Sequence, residues 1–177
     1  MSWDKELEEL RHREGLAEQM GGGDKVARQH SRGKMDARAR LAALVDPGSF
    51  REIGKIAGKA SYDEDGNLEH ILPAPFLFGK AEINGRPVVA TADDFTIRGG
   101  AADAGISRKM VQAEKMAHEL KLPIVRMIDG TGGGGSVKTL EQIGATYIPA
   151  VPGWSDVVKN LDTVPVVALA LGPTAGL

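Results

Sequence analysis

Pro87-Val88-Val89-Ala90-Thr91-Ala92 is an apolar run that leads into Gly99-Gly100. Pro123-Ile124-Val125-Arg126-Met127-Ile128 repeats the plan and leads into Asp129-Gly130-Thr131 and the run Gly132-Gly133-Gly134-Gly135. Val164 to Leu171 repeats it again, leading into Gly172-Pro173-Thr174-Ala175-Gly176-Leu177. Between the first two runs, Ile106, Met110, Ala113, Ala117 and Leu120 recur at three- and four-residue steps, which predicts a helix. Val157 to Leu161 predicts a shorter helix before the third run. Strands alternating with helices at a repeat of about 36 to 42 residues imply βαβ units, right-handed crossovers and a buried parallel sheet. In such sheets ligands sit at the carboxyl ends of the strands, where this chain places its glycines.

Working outward, Phe76 to Ile83 and Arg86 to Ala92 flank Asn84-Gly85, the dipeptide of a tight hairpin. Ser61 to Pro75, polar and proline-containing, reads as a loop. Asp46-Pro47-Gly48-Ser49-Phe50 carries turn chemistry. Trp3, Leu7, Leu10, Ala17 and Met20 predict a thinly amphipathic first helix, ended by Gly21-Gly22-Gly23. A basic segment follows, with Lys25, Arg28, Arg32, Lys34, Arg38 and Arg40, and Asp36 to Val45 within it has helical spacing. The division is a helical N-terminal segment over 1–50 and an α/β domain over 51–177.

Composition narrows the function. The formal net charge of −2 argues against a protein whose main partner is nucleic acid or an anionic membrane. The absence of cysteine excludes disulfides, thiolate zinc sites and a cysteine nucleophile. No apolar stretch approaches the ~20 residues of a membrane span, and the charged opening lacks a signal-peptide core, so a cytoplasmic location is expected. Glycine, 23 of 177 residues, is the excess. Gly132 to Gly135 with Ser136 opens a predicted helix, where free backbone N–H groups suit a phosphate or a developing oxyanion, or else a tightly packed turn. Neither a Walker loop nor a dinucleotide fingerprint is completed there. Ser136 has no histidine marked as its base. Gly172 to Gly176 has the same logic: small residues let a ligand approach the backbone amides.

Four stretches, in order, resemble the carboxyltransferase (β) subunit of biotin-dependent acyl-CoA carboxylases, the propionyl-CoA and methylcrotonyl-CoA carboxylase family. They are Gly33-Lys34-Met35-Asp36-Ala37-Arg38-Ala39-Arg40-Leu41 with the Asp46 to Phe50 turn, Gly85-Arg86-Pro87-Val88 to Asp94-Phe95-Thr96-Ile97-Arg98-Gly99-Gly100, Asp129 with its glycines, and Gly172-Pro173-Thr174-Ala175-Gly176. The resemblance covers nearly the whole chain and implies the N-terminal half of a crotonase-like (ClpP/crotonase) α/β spiral of ββα units, preceded by the helical segment. It further implies an enzyme part that binds acyl-CoA as substrate and uses carboxybiotin carried on a partner protein, with no metal. The carboxyl group passes between carboxybiotin and the α- or γ-carbon of the acyl group through an enolate. The amides of Gly176 and Leu177 would face the thioester oxygen, with Gly99, Gly100, Gly132 to Gly135 and Ser136 lining the pocket.

Two departures stand out: Leu177 occupies the place of a second glycine, and Gly134-Gly135 replaces an Ala-Arg pair. For Lys34, Arg38 and Arg40 two roles stand, contact with the CoA phosphates or a solvated or internally paired helix face. The expected partners are a biotin carboxyl carrier or biotin carboxylase subunit, and further copies or a C-terminal half, because the chain stops inside the expected oxyanion turn. A non-catalytic CoA-binding or assembly module is the alternative. A crotonase-type hydratase or isomerase is another; it needs glutamate bases, for which Glu141 is the only nearby candidate.

Overall fold

The computed structural model describes residues 2–100, 107–130, 141, 144 and 153–174. Three helices open the chain: α1 Asp4–Glu18, α2 Gly23–Ser31 and α3 Ala37–Leu44. The glycine run that ends α1 also starts α2, with Gly22 as its cap at φ 97°. The apolar stripe of α1 is only half used: Ala17 and Met20 are buried, whereas Trp3, Leu7 and Leu10 stay exposed. Asp36 caps α3, accepting the N–H of Ala39 at 2.9 Å.

Among the described residues seven strands follow: β1 Arg51–Glu52, β2 Gly58–Tyr62, β3 Leu68–Pro73, β4 Phe76–Ile83, β5 Arg86–Asp93, β6 Ile124–Gly130 and β7 Val166–Thr174. Helix α4, Ser107–Leu120, lies between β5 and β6, and α5, Trp154–Thr163, precedes β7. Five strands form one sheet in the order β1-β4-β5-β6-β7, antiparallel from β1 to β5 and parallel from β5 to β7. The repeat read from the sequence is thus observed, with β7 continuing to Thr174 and α5 longer than Val157 to Leu161.

The loop expected over Ser61 to Pro75 is corrected. Strands β2 and β3 pair antiparallel there, and only the Asp63–Asn67 segment is a turn, in which the Asp63 carboxylate accepts the N–H groups of Asp65 and Asn67. Strand β2 buries no residue and β3 buries only Ile71 and Pro73, so the ribbon lacks the sustained alternation of apolar residues that marks a half-buried strand.

The sheet is buried on both faces because successive side chains of β5 alternate sides. Val88, Ala90 and Ala92 pack with Leu77, Ala81 and Met127 under Ala37, Leu41 and Val45 of the α3 region. Val89 packs oppositely with Phe76, Phe78 and Ile124 against Ala113 and Ala117 of α4. A polar joint ties α5 to this layer. Buried Asn160 donates to the Glu114 carbonyl at 2.9 Å and to its carboxylate at 2.8 Å, while Arg126 of β6 grips that carboxylate at 2.9 and 2.8 Å. Beyond it the fold is open, with Trp154, Val158 and Leu161 of α5 and Val167 and Leu171 of the edge strand β7 exposed. Among the described residues no helix is long and apolar enough to cross a membrane.

Candidate functional site

The carboxyl end of β5 continues as Asp94-Phe95-Thr96-Ile97-Arg98-Gly99-Gly100. Buried Asp94 shapes this stretch by accepting the N–H and hydroxyl of Thr96, at 2.9 and 2.6 Å. Burial pushes the Asp94 carboxyl up. Thr96 in turn accepts the N–H of Gly21 at 3.0 Å, which docks the corner between α1 and α2 onto the end of β5.

That docking opens a 380 Å³ cleft between α2 and the 95–99 segment. Lys25, Arg28 and Arg32 of the α2 side and Arg98 opposite line it, with Gln29, Phe95 and Gly99 between them. The Lys34 amine lies over the Phe95 ring, 5.7 Å from its centre. Several cations around one aromatic ring suit a ligand that combines phosphates with a planar base.

Next to the cleft, three strand ends meet in a buried corner. Asp93, the last residue of β5, accepts the backbone N–H of Asp129 of β6 at 3.1 Å. The Asp129 carboxylate is fully buried, and its Oδ2 receives Arg40 at 2.6 Å and Gln29 at 3.4 Å. Its Oδ1 has no hydrogen-bond partner among the described residues. Burial foremost, with the Asp129 charge adding to it, pushes Asp93 up to about 6, against the opposing pull of the Asp129 N–H and of Arg40.

Backbones touch here. A Cβ on Gly100 would lie 2.6 Å from the Asp129 carbonyl oxygen, and one on Gly130 would lie 2.9 Å from the Gly100 oxygen. A Cβ on Gly172 would lie 1.8 Å from Asp129 Oδ1. Gln29 belongs to both places, lining the cleft and bonding the corner, and Gly99 and Gly100 join them along the chain. The cleft can hold the anionic, aromatic end of a ligand, while the corner beside it is closed by backbone contacts and the Asp129 carboxylate.

The sequence candidates fall in different places. Gly99 lines the cleft, Lys34 stands over its aromatic wall, and Gly100 lies in the corner. Arg38 and Arg40 are held by internal carboxylates, Arg38 by a fork onto Glu52 at 2.8 and 3.4 Å and Arg40 by Asp129. Gly132, Gly133, Gly134, Gly135, Ser136, Gly176 and Leu177 lie outside the described residues.

Sequence reasoning named neither Gln29 nor Asp93 as a site residue. The available signal was register, since Asp93, Asp129 and Gly172 each lie at the carboxyl end of a strand. A second buried charge, Lys109 in the first turn of α4, was also passed over. It has no hydrogen bond or ion pair among the described residues, and its Cε lies 3.7 Å from where a Cβ on Gly54 would stand. Burial pulls its amine down to about 8, with Arg38 adding to that and Glu52 opposing it.

Comparison with known proteins assigns the frame. The profile of the carboxyl transferase domain matches residues 28–177. The methylmalonyl-CoA carboxyltransferase 12S subunit of Propionibacterium freudenreichii subsp. shermanii is 33% identical over 173 residues, covering 96% of this chain and 32% of that protein. The propionyl-CoA carboxylase carboxyltransferase subunit of Haloferax mediterranei is 28% identical, covering 99% of this chain and 33% of the relative. The chain therefore spans about a third of the length of these relatives. The crystal structure of transcarboxylase 12S with methylmalonyl-coenzyme A and methylmalonic acid bound, described as a hexamer assembly, superposes with a TM-score of 0.73 at 30% identity. It is covered over 95% of this chain and 32% of its own.

Proposed function

Because the chain belongs to the carboxyl transferase domain family, we propose that it forms the acyl-CoA-binding part of a biotin-dependent carboxyltransferase. The observation that carries this reading is the basic, aromatic-walled cleft lined by Lys25, Arg28, Arg32, Phe95 and Gly99 at the carboxyl end of β5. Coenzyme A has that polarity, with phosphates and adenine at one end and the reacting thioester at the other.

In this reading Lys25, Arg28 and Arg32 hold the phosphate end, and Phe95 under Lys34 faces the adenine. The thioester runs past Gly99 toward the carboxyl ends of the strands. The backbone amides of Gly176 and Leu177 take its oxygen, and Gly132 to Gly135 with Ser136 line the acyl side. Preorganised donors of this kind are worth roughly 3 to 4 kcal/mol each on a developing oxyanion. Carboxybiotin on a carrier protein supplies the carboxyl group. The methylmalonyl-CoA bound to the solved relative supports the substrate class. The remaining partners are a biotin carboxyl carrier or biotin carboxylase subunit and a complementing copy or C-terminal half. The open β7 edge and the exposed apolar side chains of α5 support that last partner.

Calorimetric titration with propionyl-CoA tests the cleft. The double variant Arg28→Glu, Arg32→Glu is expected to lower affinity at least tenfold and to flatten its salt dependence. Unchanged affinity would remove the cleft from the reading. Carboxyl transfer restored only when a C-terminal half and carboxybiotin are supplied is the expected result for an enzyme part. Binding with no restorable transfer would make the chain a binding module, and hydration of an enoyl-CoA would make it a crotonase-type hydratase.

A further inference from the structure

Helix α2 and its C-terminal cap bring Lys25, Arg28 and Arg32 to the cleft, yet of the residues Gly23–Ser31 only Gln29 is buried. A helix without a buried apolar stripe is not fixed by hydrophobic packing, so its placement falls to polar contacts at its ends. At the C-terminal end Gln29 donates to Asp129 at 3.4 Å, and His30 Nε2 lies 2.8 Å from the Asp36 carboxylate. At the N-terminal end Gly21, just before the cap Gly22, donates its N–H to Thr96 Oγ1 at 3.0 Å.

Thr96 is made a fixed acceptor. Its single hydroxyl proton goes to Asp94 Oδ1 at 2.6 Å, so toward Gly21 the oxygen can only accept. The same Oδ1 takes the Thr96 N–H at 2.9 Å. Asp94 is buried, and its own N–H donates to the Pro75 carbonyl at 3.0 Å, which ties the turn to the sheet. The approach is close: a Cβ on Gly21 would lie 2.2 Å from the Thr96 carbonyl oxygen and 2.9 Å from its Oγ1. A Cβ on Gly23 would meet nothing within 4 Å. Gly21 is bare because the α1–α2 corner rests on the backbone of this turn, a requirement separate from ending α1.

We infer that Gly21, Thr96 and Asp94 form a clasp of positioning residues: by seating the α1–α2 corner on the end of β5, it fixes how far Lys25 and Arg28 stand from Phe95 and so sets affinity for the phosphate end of the ligand. This rests on the acyl-CoA reading above. Neither Gly21 nor Asp94 lines the cleft, so both act through α2 and Thr96. Closure of the clasp and binding are then coupled, and the coupling is reciprocal.

The test titrates coenzyme A, and separately adenosine 3′,5′-bisphosphate, into the purified chain by calorimetry. Gly21→Ala is expected to weaken both ligands at least tenfold and by the same factor, while Gly23→Ala stays within twofold of wild type. Thr96→Val should weaken both likewise, and Thr96→Ser, which keeps the hydroxyl, should come back to within threefold. A cycle with Lys25→Ala separates positioning from general loosening. That change should cost at least fivefold in the wild type and less than twofold in Gly21→Ala, where the displaced helix has already withdrawn the amine. Additive losses overturn the inference and leave the acyl-CoA reading standing, as does folded Gly21→Ala protein that binds like the wild type. A wild type that binds neither ligand removes that reading and the inference with it. Amide hydrogen exchange on the wild type needs no variant. With coenzyme A at a hundred times its Kd, the Gly21 amide should exchange at least tenfold more slowly than in the free chain. An unchanged rate overturns the clasp.

Discussion

Arg40 and Lys109 are equally buried cations, 7% and 6% exposed, near the same edge of the sheet. Arg40 meets a carboxylate at 2.6 Å, whereas Lys109 meets no partner among the described residues. The difference follows from the two head groups. A guanidinium stays charged in a protein, so burial obliges it to have a counter-ion, while burial of the Lys109 amine weakens its hold on the proton, down to about 8, and leaves a charge that costs stability at pH 7. Burial alone therefore does not mark the candidate corner. The marker is a buried charge whose partner, Asp129, also touches the backbone of a neighbouring strand end.

The largest expected effect is at the paired cation. Arg40→Met leaves the Asp129 carboxylate buried without a counter-ion and should lower stability by about 3 to 5 kcal/mol, read as a shift in the urea midpoint. A loss under 1 kcal/mol would mean that the pair is not closed in solution, and the contrast with Lys109 would collapse.

Lys109→Met should move stability the other way. The amine titrates near 10.5 unfolded and about 8 folded, so the folded state binds fewer protons between those values. Wild-type stability then rises as pH increases from about 8 to 10.5, and at pH 7 the lysine carries a cost that the variant lacks. A gain of about 2 to 3 kcal/mol is expected at pH 7, shrinking toward pH 10.5. Destabilisation by this variant at pH 7 would show that the amine has a partner after all.

Asp93→Asn sharpens the comparison from the acidic side. Its carboxyl goes from 3.8 unfolded to about 6 folded, so the folded state keeps a proton that the unfolded chain gives up. Wild-type stability should fall as pH rises through that window, and the variant should be more stable at pH 7 by about 2 kcal/mol. The asparagine oxygen still accepts the Asp129 N–H. Denaturation series at pH 3.5 and 7 check it, with the gain expected only at the higher pH.

Much of the frame was legible in the residues. The alternation of β5, α4, β6 and β7 came from apolar periodicity, and the β4–β5 hairpin from Asn84-Gly85, because both signals act over a few neighbouring residues. The β2–β3 ribbon was not legible, since it buries only Ile71 and Pro73, too short an alternation to read. Helix α2 was hidden for another reason: it begins in a glycine run that also ends α1. In the site, Gly172 was read as space for a ligand, and the structure uses that space for the Asp129 carboxylate. Arg40 was weighed as a phosphate contact or an internal pair, and it is an internal pair.

The sequence alone determined the strand–helix repeat and the concentration of glycine at strand ends, because periodicity and backbone freedom are properties of adjacent residues. The tertiary structure alone decided which charges meet. Gln29 and Asp129 are 100 residues apart and bond only because α2 is folded back over the end of β6. Arg40 reaches the same carboxylate from α3. Electrostatic pairing depends on distance through space, and a chain has no local signature for a neighbour that folding brings to it.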